Sequence, residues 1–87
     1  MYLHLGQNVV VPEKDVIGIF DLDNTTGSHI TRRFLSDAES SGRIITVSED
    51  LPKSFILCGN NKENVIYLSQ LSSQTLVKRS ERFLDKL

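Results

Sequence analysis

17-IGIFDLDNTT-26 is an apolar run that breaks off into two aspartates, an asparagine and two threonines. Two folds compete for it. In one, a buried parallel strand delivers a carboxylate to a phosphate-handling site. In the other, a strand of a mostly antiparallel sheet runs into a turn. Asp, Asn and Thr side chains suit the second, because they hydrogen-bond backbone groups of their own turn.

The first reading has a specific chemical content. Asp-x-Asp-x-Thr after an apolar strand is how haloacid dehalogenase-type phosphatases open their active sites, with Asp21 as nucleophile and Asp23 as acid/base. Such a site also needs carboxylates for Mg²⁺ at the end of another parallel strand, and a lysine for the phosphoryl oxygens. Here the later apolar runs end in Cys58-Gly59-Asn60 and Ser69-Gln70. Thr46, Ser48 and Lys53 could be recruited, but Glu49-Asp50 reads as a hairpin loop. A parallel sheet further needs crossovers of a dozen residues or more, and the helix expected over 29–41 offers the one candidate. The motif reads as a strand entering a turn, and no catalytic residue is assigned.

Working outward, 2-YLHL-5 and 8-NVVV-11 read as strands joined at Gly6-Gln7 and closed by Pro12. Residues 15–22 form a third strand, expected to be buried because it is almost continuously apolar. Asp23 to Gly27 is a turn cluster and Ser28 a helix cap. Ile30, Phe34, Leu35 and Ala38 recur at helical spacing until Gly42 stops the helix. Then 43-RIITVS-48, 54-SFILCG-59 and 65-VIYLS-69 follow as strands, the first two separated by 49–53 and the last two by a turn at 60–64. Ser72 or Ser73 caps a final helix with apolar Leu76, Val77, Phe83, Leu84 and Leu87. The expected fold is a single α+β domain over 1–87: a small, mostly antiparallel sheet of five to six short strands, one helix in the middle and one at the C-terminus.

The 87 residues carry ten Lys and Arg against eleven Asp and Glu, a net charge of −1. That excludes the strong positive field usual in nucleic-acid binders. The charge is nonetheless uneven: residues 1–30 sum to −3 and residues 61–87 to +2. A chain this short hides only about 60–65% of its unfolded surface alone, which favours self-association. One cysteine, Cys58, precludes an internal disulfide and reads as a small core residue. His4 reads as a surface strand residue and His29 as a first-turn helix residue. With Cys58 they lack the paired spacing of a zinc site, so neither metal nor cofactor is expected. Without a leader or an apolar run near 18 residues, the chain reads as cytosolic, with no membrane partner.

Basic residues form the candidate binding surface. Arg32 and Arg33 open the first helix, Lys53 follows Pro52 in a loop, and Lys78, Arg79, Arg82 and Lys86 lie on the last helix, interrupted by Glu81 and Asp85. Such a basic face is ordinarily just solvated. One copy would bind DNA weakly, but repetition around an oligomer multiplies the phosphate contacts.

The stretches 1-MYLHLG-6, 8-NVVVP-12, 15-DVIGIFDLDNTT-26, 49-EDLPKSFILC-58 and 67-YLSQLSSQTLVKR-79 stand in order over nearly the whole chain. They resemble the extracellular matrix regulators of Gram-positive bacteria, the RemA/RemB proteins, and are closest to the RemB branch. The resemblance implies a non-enzymatic, nucleoid-associated transcriptional regulator of biofilm-matrix genes. Such proteins act on double-stranded DNA as ring-shaped homo-oligomers. It matches Arg32 and Arg33 to a basic pair at the start of the family's helix. The chain departs from the RemA branch at 50-DLPKS-54, where an arginine-rich loop keeps only Lys53, and at Asp15, where a basic position is lost. Arg32, Arg33 and Lys53 are the DNA contacts this implies, and Arg79, with Lys78 and Arg82, adds the basic face of the last helix. Pairing with a basic paralogue, with little DNA contact, is the alternative.

Overall fold

The computed structural model describes residues 1–22, 29–59 and 63–80. The turn expected at Asp23–Gly27, the Ser28 cap and the turn centred on Asn60–Lys62 lie outside these residues. So do Phe83, Leu84 and Leu87, along with Arg82 and Lys86. Among the described residues six strands and two helices follow in the order β1 (Tyr2–Gly6), β2 (Val9–Pro12), β3 (Val16–Asp21), α1 (His29–Ser40), β4 (Ile44–Thr46), β5 (Ser54–Gly59), β6 (Asn64–Ser69) and α2 (Ser73–Arg79). A single 3₁₀ turn, Glu13–Asp15, joins β2 to β3. The α+β class expected from the sequence is the class observed.

The strands divide into two sheets, an antiparallel β1–β2 hairpin and a four-stranded sheet ordered β3-β5-β6-β4. β5 runs antiparallel to both β3 and β6, while β4 lies parallel to β6. Two expectations are corrected here. Residues 49–53 do not close a hairpin, because β6 lies between β4 and β5. β3 is not enclosed: it forms one edge of the sheet, with Ile17 58% and Phe20 36% exposed.

Both faces of the four-stranded sheet are covered, which makes three layers. On one face, Leu3, Leu5 and Val11 of the hairpin and Leu76 of α2 pack with Val16, Val47, Ile56 and Cys58. The alternation in β1 follows from the strand period of two: Leu3 and Leu5 point inward, while Tyr2 and His4 face water. On the other face, Phe34, Leu35 and Ala38 of α1 cover Phe55, Ile66 and Leu68. Their spacing of three and four residues places them on one stripe of the helix.

Local signals fix the helix ends. Ser72, not Ser73, caps α2: its Oγ accepts from the Thr75 N–H at 3.1 Å. α1 ends in a Schellman motif around Gly42, which adopts φ +71°. The Arg43 N–H reaches the Ala38 carbonyl at 2.9 Å and the Gly42 N–H the Glu39 carbonyl at 3.0 Å, satisfying two helix-end acceptors.

Candidate nucleic-acid interface

α1 buries Ala38 and half-buries Phe34 and Leu35 against the sheet, so Arg32 and Arg33 are turned to solvent. Lys53 lies in the loop immediately before β5. Its N–H donates to the Ser69 carbonyl at 2.8 Å, and its carbonyl accepts from the Leu22 N–H at 3.0 Å. These bonds pin the Lys53 backbone across the ends of β3 and β6 and leave the ammonium group exposed.

The two segments meet at a groove. Arg32, Leu35, Ser36 and Glu39 of α1 form one wall; Leu22, Ile44, Pro52 and Leu68 form the rest. Arg32 thus stands across an apolar floor from the loop that carries Lys53. Leu51, two residues before Lys53, is 86% exposed. The groove joins residues from five places in the chain and has no local signature in the sequence.

Arg79 lies elsewhere. It ends α2, which packs on the β1 and β3 side of the sheet through Leu76. Arg79 and the neighbouring Lys78 are exposed on the layer opposite Arg32 and Arg33, about 10 Å of sheet packing away per layer. The groove thus brings Arg32 opposite Pro52, the residue before Lys53, while Arg79 lies on the other face of the sheet. Acids are interspersed, since Asp37, Glu39, Glu49 and Asp50 are also exposed.

The carboxylate motif finds a different setting from the one a phosphatase needs. Asp21 ends an edge strand whose neighbour is antiparallel, opposite Ser54, so among the described residues no parallel strand end stands beside it to present metal-binding acids. Asp23 lies outside the described residues. Among the described residues no three His, Cys, Asp or Glu side chains are placed to share a metal ion.

A second hollow, of about 100 Å³, is lined by Val11, Asp15, Cys58, Glu63, Tyr67 and their neighbours. Burial, with a smaller push from the Asp15 carboxylate, raises the Cys58 thiol to about 11. Burial also raises the Tyr67 phenol, followed by Cys58 and Asp15. The hollow therefore favours neutral groups and holds no activated nucleophile. Cys58 is the small core residue the sequence suggested, 6% exposed.

Among the described residues, no helix is long and apolar enough to cross a membrane. Two comparisons bear on identity. The family model for RemA-like proteins, described as extracellular matrix regulatory protein A-like, matches residues 2–80. Extracellular matrix regulatory protein B of Bacillus subtilis (strain 168) is 37% identical over 81 residues, covering 93% of this chain and 91% of that protein. The chain belongs to the RemA-like family.

Proposed function

We propose that this RemA-like chain is a non-enzymatic, DNA-binding transcriptional regulator of extracellular-matrix genes that works in the cytoplasm as a ring-like homo-oligomer on the nucleoid. The observation that carries the reading is that Arg32 and Arg33 are exposed on α1 and that Arg32 faces, across a groove, Pro52 beside the exposed Lys53. Exposed cations on two segments suit phosphate oxygens. Contacts of this kind hold the backbone and leave sequence preference to DNA shape and bending. Arg79, on the opposite layer, would meet a different stretch of backbone. At −1 per chain, affinity depends on repetition of the patch through the oligomer.

A fluorescence-anisotropy titration of duplex DNA at several salt concentrations tests this. The expected result is binding whose logarithm falls steeply with the logarithm of salt. An absence of binding at low salt would reject the DNA role.

A second reading, that the chain is an oligomerising module pairing with a basic paralogue, is favoured by Leu51. An apolar side chain 86% exposed beside the cations suits a protein partner better than a phosphate. Stable mixed oligomers in size-exclusion chromatography, from a chain that does not bind DNA by itself, would select this reading.

A further inference from the structure

On the α1 face of the sheet the apolar cover is incomplete. Among the described residues of that cluster Ala38, Phe55 and Ile66 are buried, while Leu22, Leu35, Ile44 and Leu68 stay half-buried around them. These last four meet in the groove beside α1, a hollow of about 320 Å³. That size falls at the low end of the range of about 300–1,000 Å³ usual for small-ligand sites. Half-buried apolar side chains of this kind gain free energy from further apolar surface laid over them.

The polar rim narrows the choice of occupant. Arg32, Ser36 and Glu39 line one wall, and all three are exposed. Arg32 and Glu39 stand two helical turns apart, about 10 Å along the axis. Arg32 lies near the N-terminus of α1 and Glu39 next to its last residue, Ser40. The helix dipole therefore adds to each charge in its own sense. In line, the groove offers a positive end, an apolar floor and a negative end. A fatty carboxylate matches the first two and sets its tail against Glu39. A short peptide with free termini matches all three. About three extended residues, at ~3.3–3.6 Å each, span the distance between the two charges. Alternate side chains of an extended backbone share a face, so the first and third turn to the floor together.

We propose that this groove binds short peptides with free termini and apolar first and third residues, the C-terminal carboxylate on Arg32 and the N-terminal ammonium on Glu39. Ser36, between them, offers its hydroxyl to the peptide backbone. Because Arg32 is also a proposed phosphate contact, the bound carboxylate takes that cation from DNA. This consequence, unlike the site itself, rests on the DNA-binding reading.

Saturation-transfer-difference NMR tests the site, with the tripeptide Leu-Ser-Leu as probe beside its N-acetylated and C-amidated forms. The expected result is saturable binding in which the two leucine side chains receive more saturation than the serine, and each capped form binds about fivefold more weakly. Arg32→Ala should remove the advantage of the free carboxylate and keep that of the free ammonium; Glu39→Gln should do the reverse. Both residues are exposed, so neither change disturbs the core. Equal binding of all three peptides, or none at millimolar concentration, would overturn the site. Acetylation without effect would also overturn it and give the groove to an amphiphilic carboxylate. An anisotropy titration of duplex DNA with saturating peptide tests the consequence separately. Unchanged DNA affinity would overturn the competition and leave the site, and a chain that binds no DNA would remove the competition together with the DNA-binding reading.

Discussion

Ser69 Oγ donates to the Leu5 carbonyl at 2.6 Å, joining the end of β6 to the hairpin across 64 residues of sequence. The same oxygen accepts from the Leu71 N–H at 3.0 Å. Ser69 is fully buried, so its bond to Leu5 ties the two sheets together where water cannot replace it. Ser69→Ala leaves a buried donor and a buried acceptor unmet and should destabilise by about 2 kcal/mol. Urea denaturation measures this, and a loss below about 0.5 kcal/mol would mean that the hairpin is held by apolar packing alone.

Gly42 makes a purely conformational prediction. Its φ of +71° is one that L side chains rarely adopt, and a Cβ there would meet nothing within 4 Å. Gly42→Ala should therefore cost about 1 kcal/mol through backbone strain, without steric overlap. Gly42→Asn should cost less, since Asn tolerates this conformation. Equal losses would point to a clash instead.

Apolar runs made the strands legible, and their failures share a cause. β4 was visible as Arg43–Ser48, but its partner was not: a three-residue strand with a short loop after it looks like half a hairpin. Whether it pairs with β5 or passes β6 depends on contacts far along the chain. β3 misled in another way, because Ile17, Ile19 and Phe20 are as apolar as a central strand while the fold places them at an edge. The site divides likewise. That Arg32 and Arg33 face solvent follows from the Phe34, Leu35 and Ala38 stripe. That the loop before Lys53 faces Arg32, and that Arg79 lies on the other layer, depends on which face of the sheet each helix covers. Periodicity does not encode that choice.

Cys58 gives a pH prediction. Its folded thiol is raised to about 11 from an ordinary 9.0, chiefly by burial. At pH 8 the thiolate fraction of the folded chain should be about a hundredfold below that of the unfolded chain, and labelling by a thiol reagent correspondingly slower. The stability linked to this group is fully present below pH 9. It should fall as pH rises towards 11, because the unfolded chain releases its proton first. Native labelling as fast as labelling in urea would contradict the burial of Cys58.

The DNA-binding reading makes its sharpest prediction at the first turns of α1. Arg32 and Arg33 are exposed on a helix whose other side is committed to the core, so Arg32→Ala/Arg33→Ala should leave the fold intact. Each lost phosphate contact should flatten the log–log salt slope by about 0.9 per copy in contact with DNA. Arg79→Ala, which removes a single charge on the opposite layer, should flatten it less. Anisotropy titrations of the three proteins at matched salt decide between the outcomes. If the double variant binds as tightly as wild type with the same slope, the α1 surface does not meet phosphates. If Arg79→Ala has the larger effect, the DNA lies against the α2 layer instead.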